Sequence, residues 1–124
     1  MLLNQAYSKN VNLCINQGDD FDIVFNLDGL SGKASDYRFK FGARHCYGVN
    51  KLDLEATCEA LDDTSIRLYL PRTVTANLQA VSDNITLNSF YYDIQMINDD
   101  IAQRIVQGKL FISPGNAFLG GDSA

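Results

Sequence analysis

The sequence predicts an all-β domain. Three observations carry this: apolar residues recur at every second position in segment after segment, polar turn residues separate those segments, and only one stretch has helical spacing. At 124 residues the chain suits one domain with one hydrophobic core. Its 46% hydrophobic and 20% charged content is that of a folding sequence, far from the polar, highly charged mixture that keeps chains disordered.

The first strand is Val11, Leu13 and Ile15, ending at the turn signal Gln17-Gly18-Asp19-Asp20, where Gly18 supplies a tight turn. Over residues 20–27, Phe21, Ile23, Phe25 and Leu27 share one face while Asp22, Val24 and Asn26 share the other, so the aromatic face points inward. Over 36–44, Tyr37, Phe39, Phe41 and Ala43 oppose Asp36, Arg38, Lys40, Gly42 and Arg44, and that basic face must meet solvent or a partner. Leu52, Leu54, Ala56, Cys58 and Ala60 alternate with polar residues, as do Ile66, Leu68 and Leu70, and Asp62-Asp63 between them makes a hairpin.

After Pro71, Val74 and Leu78 lie four apart, which predicts a short helix over 71–79 with the proline in its first turn. Phe90, Tyr92, Ile94 and Met96 form a late strand, Asn98-Asp99-Asp100 a turn, and Val106, Leu110 and Ile112 the last strand, with Gly108 allowing a bend or bulge. The total is about seven strands, spaced as in an immunoglobulin-like antiparallel β-sandwich; a jelly roll or small barrel is the alternative. The predicted organisation is an N-terminal arm over 1–10, the sandwich over 11–114, and a flexible C-terminal arm over 115–124 in which Phe118 and Leu119 stand among small residues.

A net charge of -5, a pI near 4.6 and only 10 Lys and Arg argue against nucleic acid, whose phosphates are contacted mainly by those residues. Thirteen of the 15 acids are Asp, a turn former, which disperses the acidity over loop tips. The N-terminus lacks the basic start and apolar run of a signal peptide, and no run is long enough to cross a bilayer, so cytosolic synthesis and no membrane are expected. The triplet Asn84-Ile85-Thr86 matches a glycosylation sequon, but so short a match arises by chance.

Catalytic and metal signals are weak. Cys14, Cys46 and Cys58 are odd in number and widely spaced, reading as free thiols. His45 and Cys46 are neighbours on a strand, where adjacent side chains diverge rather than pair. His45, Cys46 and Cys58 have no zinc-site spacing, and the Asp19-Asp20-Asp22, Asp62-Asp63 and Asp99-Asp100 groups lack the calcium-loop pattern and serve as turn formers. No phosphate-binding glycine loop or nucleophile elbow occurs. The expectation is a protein without catalytic residues, cofactor or metal.

The outward positions are more informative. If Phe90, Tyr92 and Ile94 face the core, Tyr91 faces out beside Asp93 and Gln95, and the same parity turns Tyr69 and Phe111 outward. Aromatics on outer faces serve partner binding unless the 71–79 helix or a loop covers them. The interface candidates are therefore Tyr69, Tyr91, Phe111, the Arg38 and Lys40 face, and Phe118 with Leu119.

The order of features also resembles a known family: a strand leading into Gln17-Gly18-Asp19-Asp20-Phe21, a hairpin ending Ile66-Arg67-Leu68-Tyr69-Leu70-Pro71, a short helix, Tyr92-Asp93-Ile94, and Arg104-Ile105-Val106-Gln107-Gly108-Lys109-Leu110-Phe111-Ile112-Ser113-Pro114. Over residues 11–114 this is similar to the immunoglobulin-like domain of small bacteriophage structural proteins, also found at the N-terminus of upper-baseplate and tail-fibre proteins. The resemblance implies a virion component made in the bacterial cytoplasm, a tail, baseplate or fibre adaptor or a capsid decoration protein. It implies other capsid, tail or fibre subunits as partners, and homo-oligomers, often trimers. An Asp93–Arg104 pair across the final hairpin is expected on physical grounds.

The alternative is a carbohydrate-binding sandwich in which Tyr47, Tyr69 or Tyr91 stacks on a sugar and an Asp loop holds calcium, although no Trp is present. If Phe118 and Leu119 anchor the tail on a neighbour, deleting residues 116–124 weakens assembly and leaves the fold intact. Native mass spectrometry with circular dichroism on the truncated protein checks this; unchanged assembly refutes the anchor.

Overall fold

The computed structural model describes residues 9–27, 30, 32–44, 54–78 and 89–113. About two thirds of them lie in strands: β1 (Lys9–Asn10), β2 (Leu13–Asn16), β3 (Phe21–Asn26), β4 (Arg38–Arg44), β5 (Leu54–Asp62), β6 (Ser65–Leu70), β7 (Ser89–Ile97) and β8 (Ala102–Ser113). A 3-10 turn over Ala34–Asp36 and a one-turn helix, α1 (Arg72–Thr75), complete the elements. The strands are ordered β1-β8-β7-β4-β5-β6-β3, with β2 continuing β1 along β8, in one sheet curled nearly into a barrel.

The all-β prediction holds, and the curled sheet fits a sandwich or the small barrel named as its alternative; β3 pairs with β6, β4 with β7, and β7 with β8, all antiparallel. The sheet is nevertheless mixed rather than antiparallel throughout, because β1 and β2 run parallel to β8, from Lys9 opposite Val106 to Asn16 opposite Ser113. The outer edge of β8 is left open by β7, and the first strand is the segment that closes it. Among the described residues the sheet therefore begins at Lys9, inside the stretch read from sequence as an arm.

β5 joins the two halves. Leu54 to Cys58 pair with β4, whereas Glu59 to Asp62 pair with β6, with a register shift around Leu61. A strand that changes partners through a bulge is how a sheet turns a corner. The larger layer is thus β1/β2, β8, β7, β4 and the first half of β5; the smaller is the second half of β5, β6 and β3.

Alternation sets the core as predicted. Phe25 and Leu27, Phe39, Phe41 and Ala43, Ile66, Leu68 and Leu70, and Phe90, Tyr92, Ile94 and Met96 are all buried. Ile105 is buried directly beside Val106. Ile94 stands opposite Val106 while Gln95 stands opposite Arg104, so Ile105 is the extra residue of a bulge and both side chains enter the core.

The turns use the residues read for them. Gly18 has φ 90°, and Asp19 N donates to Asn16 O at 3.0 Å across the turn it makes. Asn98 Oδ1 accepts from Asp100 N at 2.8 Å and Ile101 N at 2.9 Å, and Asp62 Oδ1 accepts from Thr64 N at 2.9 Å. The helix is shorter than 71–79: the β-branched run Thr73-Val74-Thr75 is a poor helix former, and Pro71 stands just before the first helical residue with ψ 158°. Tertiary bonds hold the turn instead, with the buried Thr75 Oγ1 donating to Asp19 O at 2.7 Å and Gln17 Nε2 to Leu78 O at 2.9 Å.

Gly108 has a different task from the predicted bend. Val11 and Asn12, the break between β1 and β2, pass directly over it, and a Cβ there would lie inside the van der Waals shell of Val11 O. Val11 N donates to Gln107 O at 2.9 Å, Lys109 N to Asn12 Oδ1 at 3.0 Å, and the buried Tyr92 hydroxyl to Val11 O at 2.5 Å. Gly108→Ala should cost about 3 kcal/mol, since the obstacle is backbone rather than a movable side chain. Tyr92→Phe should cost about 1–2 kcal/mol by stranding the carbonyl. Urea denaturation of both variants checks the order.

Acid titration supplies a second check. Asp20 sits below the usual carboxylate range because Arg72 N and its guanidinium donate to it, Asp22 because Arg67 does, and Asp62 because Thr64 N and Ser65 do. A pKa lower in the folded than in the unfolded chain stabilises above the unfolded value, and that contribution disappears as pH falls through the folded one. The melting temperature should therefore fall below about pH 4, and Asp20→Asn should flatten that fall.

Candidate functional site

The strand registers arrange the outer face of the larger layer in cross-strand rows. One row is Arg44 on β4, Tyr91 on β7 and Lys109 on β8; the next is Glu55, Gly42, Asp93 and Gln107; the third is Thr57, Lys40, Gln95 and Arg104. Rows lie two residues apart along a strand, roughly 6.8 Å. Gly42 at the centre has no side chain, so the face dips there into a groove of about 920 Å³. Phe111, Asn10 and Asn12 line it beside β8.

Charge is concentrated in this groove. Lys40, Arg44, Arg104 and Lys109 line it against Glu55 and Asp93, a local excess of two positive charges on a chain of net charge -5. Arg104 lies 3.6 Å from Asp93 as the sequence led us to expect, and both are about half exposed, so the pair orients side chains more than it stabilises the fold. Arg104 Nη1 also donates to Gln107 Oε1 at 2.7 Å, and Gln107 Nε2 to Asn10 Oδ1 at 3.0 Å, forming a polar ladder along the wall.

The outer face of the smaller layer is of another kind. Its side chains include Val24, Leu61 and Tyr69, the large hydrophobic residues most exposed among the described residues, at 53%, 47% and 43%. Val24 stands opposite Arg67 and Asp22 opposite Tyr69. Arg67 donates to both Asp22 carboxylate oxygens at 2.8 and 2.7 Å and lies 5.0 Å from the Tyr69 ring centroid. Asp20 takes Arg72 at 3.0 Å and the Tyr69 hydroxyl at 3.4 Å.

The structure brings Tyr91, Phe111 and Lys40 together in the groove. Arg38 is exposed on β4 beyond Lys40, outside the lining, and Tyr69 lies on the smaller layer. Phe118 and Leu119 fall outside the described residues, as do His45, Cys46 and Tyr47. Sequence reading missed Lys109 and Gln107 as site residues although their parity matches Phe111, while Arg44 was read on the basic face with Arg38 and Lys40. Arg104 was expected only as the partner of Asp93; the bulge at Ile105 is what turns it to the same face as Gln107.

No group of three or more His, Cys, Asp or Glu able to hold a metal occurs among the described residues. Asp19 and Asp20 instead brace α1, and Asp62 and Asn98 cap turns. Burial pushes the Cys58 thiol up to about 12, which keeps it neutral and unreactive, and Cys14 is exposed on β2. No helix among the described residues is long and apolar enough to cross a membrane.

No family model and no curated protein matches the chain. Among solved structures it is similar to a "putative glycoside hydrolase" from Bacteroides vulgatus ATCC 8482, with a TM-score of 0.49 and 13% identity over 84% of this chain. The match takes up 17% of that protein's length, and so distant a likeness carries no argument about activity.

Proposed function

We propose that this chain is a non-enzymatic assembly component of a bacteriophage particle, a tail, baseplate or fibre adaptor or a capsid decoration protein, that docks onto neighbouring subunits by the outer face of its smaller layer. The observation that supports docking there is the placement of Val24, Leu61 and Tyr69, three exposed apolar side chains on one three-stranded layer. Exposed apolar side chains grouped on one face favour a protein partner, and Arg67 and Tyr69 are residue types enriched in interface cores. The phage setting comes from the resemblance in the order of elements, and the partners it implies are capsid, tail or fibre subunits and further copies of this chain.

Val24→Glu with Leu61→Glu places charge on this face without touching the core. The double variant should keep the native melting temperature within a few degrees and lose at least tenfold in incorporation into purified particles. Quantitative mass spectrometry of particles reads the occupancy. Full occupancy of the variant, or absence of the native protein from particles, overturns the proposal.

A second reading, a carbohydrate-binding sandwich, is favoured by a different observation. The groove on the opposite layer is lined by Tyr91 and Phe111 together with the planar polar side chains of Asn10, Asn12, Gln95 and Gln107. The two readings use separate faces, so one particle component can serve both.

A further inference from the structure

We infer that the groove of the larger layer recognises an acidic glycan, a chain of sugars bearing carboxylate groups at intervals. The inference rests on the second reading above, that this groove is a sugar site, and names the class of sugar.

Location comes first. The groove lies on the face of a sheet whose strands are hydrogen-bonded on both sides, β4 to β5 and β7, and β7 to β4 and β8. Main-chain groups there are already used, so a ligand meets side chains alone. An extended peptide gains most of its affinity from main-chain bonds along a sheet edge, which this face does not offer. A sugar makes its bonds to side chains: hydroxyls to amides, carboxylates and guanidinium groups, and the C–H face of the ring to an aromatic. Asn10, Gln95, Gln107, Glu55 and Asp93 supply the first kind of contact, Tyr91 and Phe111 the second.

Charge then selects among sugars. Arg44, Tyr91 and Lys109 share one row, so a ring seated at Tyr91 holds a carboxylate within reach of a cation on either side. Lys40 and Arg104 repeat the arrangement two rows along the strands, roughly 14 Å away. Between them Glu55 and Asp93 flank Gly42 and favour a neutral hydroxyl-bearing stretch. Cation, carboxylate and cation rows in succession match a ligand whose negative charges are spaced out. They disfavour a uniformly dense polyanion such as nucleic acid or heparin, which the central carboxylates repel. At about 920 Å³ the groove is at the upper end of ligand-site volumes, the size for an oligosaccharide rather than one sugar.

The test is isothermal titration of the full-length protein with defined oligosaccharides in which glucuronate, galacturonate or sialic acid residues are separated by neutral sugars, with their neutral counterparts and heparin as comparisons. Expected is binding to at least one carboxylated oligomer that is ten or more times tighter than to its neutral counterpart and weakens as salt is raised. Lys109→Glu with Lys40→Glu should abolish that binding, Tyr91→Ala should lower it at least tenfold, and Tyr91→Phe should restore it. The Val24→Glu, Leu61→Glu variant should bind as the native protein does, which separates this site from the docking face.

Neutral oligomers bound as tightly as acidic ones overturn the acidic class and leave the sugar site standing. Binding to none of these oligomers, acidic or neutral, overturns both. Tighter binding to heparin that ignores Tyr91 shows an unselective cationic surface and also overturns the inference.

Discussion

The backbone of Val11 and Asn12 crosses over Gly108, and much of the molecule is organised around that crossing. The absence of a side chain at Gly108 lets two main chains approach, the Tyr92 hydroxyl fixes Val11 O from below, and Asn12 Oδ1 holds Lys109 N from above. Together these seat the first strands against β8. Without them β8 would be a bare edge carrying Leu110 and Ile112 with no cover from Leu13 and Ile15, all four of which are buried. The same crossing sets Asn10 and Asn12 as a wall of the groove, so closing the core and shaping the outer face are one event.

Two faces of contrasting chemistry follow from a single curled sheet. β5 is the strand that separates them, because its first half serves the larger layer and its second half the smaller. The cations collect on one side, around a dip made by Gly42, and the exposed apolar side chains on the other. Part of the surface acidity serves local geometry: Asp20 and Asp22 grip Arg72 and Arg67, and Asp62 closes a turn. This leaves the acidic chain with a groove of opposite sign, a local field that its net charge conceals.

Parity along a strand was readable from sequence because burial on one side forces alternation, and β3, β4 and β7 obey it residue by residue, as β6 does from Ile66 onward. What parity omits is register. Nothing local states that Arg44, Tyr91 and Lys109 stand in one row, since their separations of 47 and 18 residues are bridged only by folded strands. The bulge at Ile105 was invisible for the same reason: two adjacent apolar residues look like an error in alternation until the partner strand is known. The parallel partner of β8 was also beyond local reading, because turn signals report hairpins and a parallel pair has none. The helix was overestimated because an i, i+4 pair of apolar residues is equally served by one turn held down by Thr75 and Gln17.

The parallel seating of β1 and β2 on β8 has a mechanical consequence. These are the first and last strands of the described fold, lying side by side and pointing the same way. A tension applied through the chain on either side of them pulls β1 backwards and β8 forwards, so the ladder from Lys9 to Asn16 is loaded in shear. Bonds perpendicular to such a load share it and must break together, whereas an antiparallel hairpin pulled open at its ends unzips one bond after another. The strand polarity that departs from a purely antiparallel sandwich is therefore the one that lets a small domain bear force along its own chain.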